Sequence, residues 1–255
     1  MSIAIPSGCF FLDTCIILSD ILNEQSSRIN KLKSDSSFHK IACHISDSVK
    51  DETYEKVRQT SDFLGSIVRE TIRYHLEEIR NKNGIPLTNP MDSSDIKALE
   101  DLFTYYQNAI RTTSIGLSNP ISLIEEWTIS FLGEQFDKGA IITIDHFLTE
   151  LVKKLLTLTS SIEDSYDDLV TFQKRYVTIK NIIVDSRIAS SIENLGIHKP
   201  DSLHIASAIS HQASTGQKVV FVTLDFHSIL DKKDLLKEQA NLLCCDPLYA
   251  LYHLF

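Results

Sequence analysis

Four acidic residues stand where a predicted strand gives out or a predicted helix begins: Asp13, Glu52, Asp201 and Asp225. Asp13-Thr14 closes the short apolar run Cys9–Leu12, and Asp225 lies just past the β-branched run Val219–Val222. Asp201 follows Pro200 in K-P-D-S-L-H-I-A-S-A-I-S, where proline suits a first helical position and an acid suits the first turn. Glu52 lies one turn into a helix that Ser46 is placed to cap. If the strands are parallel, these ends share one rim, the rim where open α/β sheets bind ligands. Four carboxylates gathered there raise one another's pKa, and a divalent cation removes the conflict. Hard oxygen donors select Mg²⁺ or Mn²⁺ over zinc. Two such ions about 4 Å apart can activate water and stabilise the leaving oxygen of a phosphodiester. The chain carries 34 acids, most of which must form a solvated face, so spacing alone does not single out these four.

The elements that would position them come from periodicity. Cys9–Leu12, Ile41–Ile45, Val219–Val222 and Asn241–Cys245 read as strands, and the polar stretch Arg28–Ser37 as a loop or frayed helix end. From Asp47 to about Asp185 the pattern is helical. A long amphipathic run is interrupted near Gly65, and breaks fall at Asn81–Ser94 and Thr112–Pro120. Helices are expected over Asp95–Arg111, Ile121–Phe136, Thr143–Thr159 and Asp164–Ile183. A short helix Asp185–Leu195 ends at Gly196, and another lies near Asp234–Gln239. In the helix from Lys199, Leu203, Ala206, Ile209 and Ala213 form the apolar stripe. Strands alternating with helices at both ends imply an α/β fold with a mainly parallel sheet flanked by helices. Residues 1–60 and 185–255 would form the sheet domain, and 61–184 an all-helical insertion between the second and third acidic motifs.

Composition excludes some classes. At 255 residues the chain can bury a large core, and its net charge of −9 argues against a protein that coats nucleic acid non-specifically. It does not argue against a nuclease, whose metal site contributes negative charge itself. Five cysteines without a CxxC pair read as buried free thiols of a reducing compartment, so a cytoplasmic location is expected. The N-terminal stretch has neither a basic region nor a long apolar run, so neither a secretion signal nor a membrane span is expected.

The residues around the four acids also carry a resemblance. F-F-L-D-T-C-I-I-L resembles the first motif of PIN domains, and I-S-D-S-V-K-D-E-T the second. P-D-S-L-H-I-A-S-A-I is similar to the third, an Asp leading an alanine-rich helix. V-F-V-T-L-D-F-H-S-I resembles the fourth, a strand ending in Thr-x-Asp before an aromatic. The order is that of the family, and the last two motifs are the most specific. The resemblance implies a Mg²⁺- or Mn²⁺-dependent endoribonuclease that hydrolyses RNA with metal-activated water. Asp13, Glu52, Asp201 and Asp225 would be metal ligands and catalytic residues, with Thr14 and Thr223 as supporting hydroxyls. It further implies RNA as substrate, a homodimer as the common state, and an antitoxin or other protein as partner if the chain is a toxin. Cys15 stands where the family often has Asn or Ser, the stretch from Asp201 to Asp225 is longer than usual, and the helical middle has no counterpart in compact PIN toxins. The alternative is a catalytically silent PIN-like module that binds or scaffolds through its helical insertion.

Rival sites have plainer readings. His39, Cys43 and His44 have a spacing that could hold zinc, but no fourth ligand is near, and partly buried polar residues are the simpler account. Cys15 could be a nucleophile at a helix start, but lacks a paired His-Asp signature. Asp145 and His146 are helix neighbours and do not face each other. His204, one turn beyond Asp201, could orient that carboxylate, touch substrate, or simply sit on a helix face. S-T-G-Q-K lacks the glycine spacing of a phosphate loop. Gln173–Arg175 and Lys31–Lys33 supply too little basic charge for an RNA track.

Overall fold

A computed structural model of the chain describes residues 8–22, 27–110, 118–170 and 177–254. In chain order the elements are β1 Gly8–Leu12, α1 Thr14–Ile21, α2 Ser27–His39, β2 Ala42–Ser46 and α3 Asp47–Asp62. A π-helical segment, Phe63–Val68, leads into α4 Arg69–Asn83, followed by α5 Ser93–Ile110, α6 Ser118–Asp137 and α7 Ile144–Val170. The chain then forms β3 Val177–Lys180, α8 Ser186–Glu193, α9 Lys199–Thr215, β4 Lys218–Val222, α10 Lys233–Ala240 and β5 Leu243–Cys245. Contacts divide the chain into two compact units. One joins the residues up to Glu55 with those from Tyr166 onward, and the other is Lys56–Ser165.

The first unit is built on a five-stranded sheet in the order β3-β2-β1-β4-β5, with every pairing parallel. Parallel strands are covered on both faces, which is why β1 and β4 read as continuous apolar runs rather than alternating ones. Phe10, Phe11 and Leu12 are fully buried, as are Val219 to Val222. On the face covered by α9, Cys9, Phe11, Val219 and Phe221 pack against Ile205 and Ala208. From β1 the chain crosses to β2 on one side and later returns as β4 on the other. The gap between the ends of β1 and β4 is therefore a topological switch point. Leu12 pairs with Val222, and the Asp13 amide donates to the Val222 carbonyl at 3.0 Å, so Asp13 and Thr223 emerge side by side. Gly216, at φ 66, ends α9 in a left-handed cap and turns the chain into β4.

Three local expectations are corrected. Arg28–Ser37 is part of a helix rather than a loop: Ile29, Leu32 and Ser36 form a narrow buried stripe, and Lys31 pairs with Asp35 one turn on. Thr143–Thr159 and Asp164 onward form one helix, α7, and the predicted helix to Ile183 gives way to strand β3. There the β-branched V-T-I sequence finds an open sheet edge at β2, and the ladder's hydrogen bonds decide against helix. In α9 the expected stripe holds at Ala206 and at the half-buried Ile209, which packs against the core, but not at Leu203 and Ala213, which are partly and fully exposed. The buried side chains are Ser202, His204, Ile205, Ala206, Ser207, Ala208 and His211, because small residues let the helix lie close on the sheet. The break expected over Thr112–Pro120 lies largely outside the described residues, and α6 already begins at Ser118.

The second unit is helical. Its interior is fixed by Arg80, fully buried on α4, whose Nε donates to Asp95 at 3.0 Å. The same guanidinium donates to the carbonyls of Pro86, Asn89 and Pro90 at 3.0, 2.7 and 2.8 Å. It thereby ties down the Gly- and Pro-containing connection that the sequence marks as a break. Among the described residues no helix is long and apolar enough to cross a membrane.

Candidate metal centre

Asp13 is the last residue before α1 and serves as its cap. Its Oδ1 accepts from the Thr14 amide at 2.8 Å. Its buried carboxylate also accepts from the Thr223 hydroxyl at 2.7 Å and lies 3.2 Å from the Cys15 thiol. Thr223 in turn accepts from the Asp225 amide at 3.0 Å, and the Cys15 sulfur from the Leu224 amide at 3.1 Å. Cys15 thus welds the start of α1 to the end of β4, which fits a structural thiol and not a nucleophile. Its burial and the Asp13 charge hold the thiol well above the ordinary range.

Glu52 is carried in by α3. Its Oε2 accepts from the Thr14 hydroxyl at 2.8 Å and lies 3.3 Å from His204 Nε2. Asp51, the neighbouring acid, is exposed. His204 reaches the rim from α9, one turn beyond Asp201, with Nδ1 3.2 Å from Asp13 Oδ1. It orients Asp13 and Glu52 rather than its helix neighbour Asp201. Asp13, Asp201 and His204 each offer a ligand atom, all within 4.8 Å of one another. Asp201 accepts from the Ser228 hydroxyl at 3.3 Å, while the Ser228 amide donates to Asp225 at 2.8 Å. Sequence reasoning missed Ser228, although an Asp followed three residues later by Ser, Asp225-Phe226-His227-Ser228, is an ordinary side-chain-to-backbone turn.

The electrostatics of the group are unbalanced. Burial raises the Asp201 carboxyl, and the charges of Asp13, Asp225 and Glu52 add to it. His204 offsets only part, and the group stands at about 6. Burial also opposes ionisation of Asp13, but hydrogen bonds from His204, Thr223 and Cys15 outweigh it and leave that carboxyl below its ordinary value. Burial disfavours the His204 imidazolium, yet Asp13, Glu52 and Asp201 hold it above the usual histidine range. Four carboxylates therefore face one imidazolium, a shortage of positive charge that a divalent cation would supply. Asp13 and Asp201 offer carboxylate oxygens that could hold a metal ion, while both ring nitrogens of His204 are engaged with Asp13 and Glu52.

The other sequence candidates lie apart from this group. Cys43 and His44 are consecutive on β2 and point to opposite faces of the sheet, so the zinc trio with His39 does not form. Asp145 and His146 are exposed, and the His146 ring lies against Phe131. Lys31 and Lys33 are taken up by Asp35 and Asp20, and Gln173–Arg175 lie outside the described residues. Compared with family models, curated proteins and solved structures, the chain finds no match in any of the three.

Proposed function

We propose that the chain is a Mg²⁺- or Mn²⁺-dependent nuclease of the PIN type, cutting RNA phosphodiester bonds at the β1/β4 rim. The observation that carries this reading is the convergence of Asp13, Asp201 and His204 within 4.8 Å, with Glu52 joined through His204 and Asp225 through Ser228. Asp13, Glu52, Asp201 and Asp225 would hold the ion, which when bound supplies Lewis-acid activation of water and stabilisation of the leaving oxygen. The chain's own groups do the positioning. Thr223 and Thr14 fix Asp13 and Glu52 by donating to them, which sets the orientation of both carboxylates. His204 keeps a proton between Asp13 and Glu52, restraining two carboxylates that would otherwise repel each other. The Ser228 amide and hydroxyl hold Asp225 and Asp201 together.

A second reading rests on the same histidine. His204 already gives Asp13 and Glu52 a counter-charge from within the fold, which favours a silent site in a binding or scaffold module. Cleavage of mixed RNA and DNA substrates in Mn²⁺, with melting curves alongside, separates the two. The nuclease reading expects Mn²⁺ to raise the melting temperature, and at 100 times Kd the added stability is about 2.7 kcal/mol. Asp13→Asn and Asp225→Asn should abolish both that shift and cleavage. Cleavage persisting in both variants or in EDTA would defeat the reading, and a Mn²⁺ shift without cleavage would select the silent module.

A further inference from the structure

A second polar cluster lies beneath the sheet face that α9 covers. In β1, Cys9 and Phe11 point to one side, and Phe11 pairs in register with His44 of β2. α9 lays His211 over the same place, so that Cys9, His44 and His211 each offer a ligand atom, all within 4.8 Å of one another. Their exposures are 1%, 7% and 8%, and the two imidazole rings meet edge to face with centroids 5.2 Å apart. Cys9 is a free thiol. His44 Nδ1 and His211 Nε2 are both buried without a hydrogen-bond partner from the protein. A buried imidazole nitrogen normally finds a donor or acceptor, so two orphaned ones on rings clustered with a free thiol point to a missing partner.

We propose that Cys9, His44 and His211 form a buried three-ligand site for a soft monovalent metal ion, Cu⁺. Thiolate and imidazole donors select Cu⁺ or Zn²⁺ over the hard cations suited to the carboxylate rim. Charge decides between the two. A thiolate with Cu⁺ is neutral, whereas with Zn²⁺ it leaves a net positive charge in a buried site. Lys180, on β3, already places a positive charge near all three residues. The absence of a fourth protein ligand in the cluster also suits the low coordination numbers of Cu⁺. Ligand atoms around such an ion lie roughly 3.3–3.8 Å apart given bond lengths of about 2.0–2.3 Å, so small side-chain rotations close the site. Binding needs no redox step: the Cys9 S–H bond breaks, a Cu–S bond forms, and the proton leaves to solvent. The site shares β1 and α9 with the acidic rim but is distinct from it, since His211 lies two helical turns, about 10 Å, beyond His204.

The test is an anaerobic titration of the full reduced chain with Cu⁺ against a chromophoric Cu⁺ chelator, with X-ray absorption to count sulfur and nitrogen neighbours. One Cu⁺ per chain with one sulfur and two nitrogens is expected, unchanged in Asp13→Asn. Affinity should fall about 100-fold or more in Cys9→Ser and in His211→Gln, each checked for folding by circular dichroism. Binding that survives both substitutions places the ion on other thiols and overturns the proposal. So does an absorption spectrum without the one-sulfur, two-nitrogen shell, or Zn²⁺ displacing Cu⁺ at equal concentration.

Discussion

Asp95 and Asp13 are both buried carboxylates, at 1% and 4% exposure, yet their surroundings differ in kind. Asp95 faces one guanidinium held by several carbonyls, and it also accepts from the Asp92 amide at 2.9 Å. There the buried carboxylate has its counter-charge, and the guanidinium donates from Nε, Nη1 and Nη2 to acceptors. Asp13 sits among three further carboxylates with a single imidazole between them, and the mismatch pushes Asp201 to about 6. A matched buried pair locks a connection in place. A mismatched group spends stability on a surplus of one sign, which is sensible only if something else neutralises it.

Breaking the matched pair should have the largest effect. Arg80→Leu leaves Asp95 buried without its partner and several loop carbonyls without donors. A loss of about 3–5 kcal/mol is expected in urea denaturation. The double variant with Asp95→Leu should recover most of it, and a loss under about 1 kcal/mol would show that the pair does not hold the loop.

The mismatched group should behave in the opposite way. Because the Asp201 pKa is raised from 3.8 to about 6, the folded chain keeps a proton that the unfolded chain has shed. Its contribution is therefore fully present below 3.8 and lost as pH rises through 6. His204, also raised, adds a loss in the same direction as pH climbs past its folded value, while the lowered Asp13 acts oppositely at low pH. Without metal, Asp201→Asn should stabilise the fold above pH 6, by at most about 3 kcal/mol and less with solvent screening. It should also flatten the decline between pH 4 and 6. Equal pH profiles for the two proteins would mean that the acids do not repel as their placement requires.

The smallest effect sets the baseline. Arg73 and Glu77 form an exposed pair at 2.8 Å on α4. Arg73→Ala should cause little or no loss of stability in urea denaturation, and any change should vanish in high salt. A larger loss would mean that exposed pairs on this helix count for more than their accessibility allows.

Much of the site was legible because strand ends and helix starts are local events. Asp13 after C-F-F-L, Asp225 after V-V-F-V and Asp201 after Pro200 follow from run lengths and cap chemistry. Ser46 does accept from the Val49 amide, at 3.3 Å, and the π-helical segment falls where Gly65 interrupts the helical run. Other features depended on partners far along the chain. β3 is a strand because β2 offers an edge on which its β-branched V-T-I run can pair. The buried face of α9 is chosen by the sheet beneath it, which takes the small and histidine-bearing side over the leucine-bearing one.

The amino-acid order alone thus determined an α/β chain, the positions of its acids relative to element ends, and the helical character of most of the stretch between Asp47 and Val170. Local propensity and hydrophobic period suffice for these. Only the tertiary structure decided that His204 bridges Asp13 to Glu52, that Ser228 couples Asp201 to Asp225, and that Cys9 meets His44 and His211. Those meetings depend on strand order and register, which are set by pairing energies between segments as many as 210 positions apart, the separation of Cys9 from its partner Val219. No periodicity in the chain records which distant strand will lie alongside which.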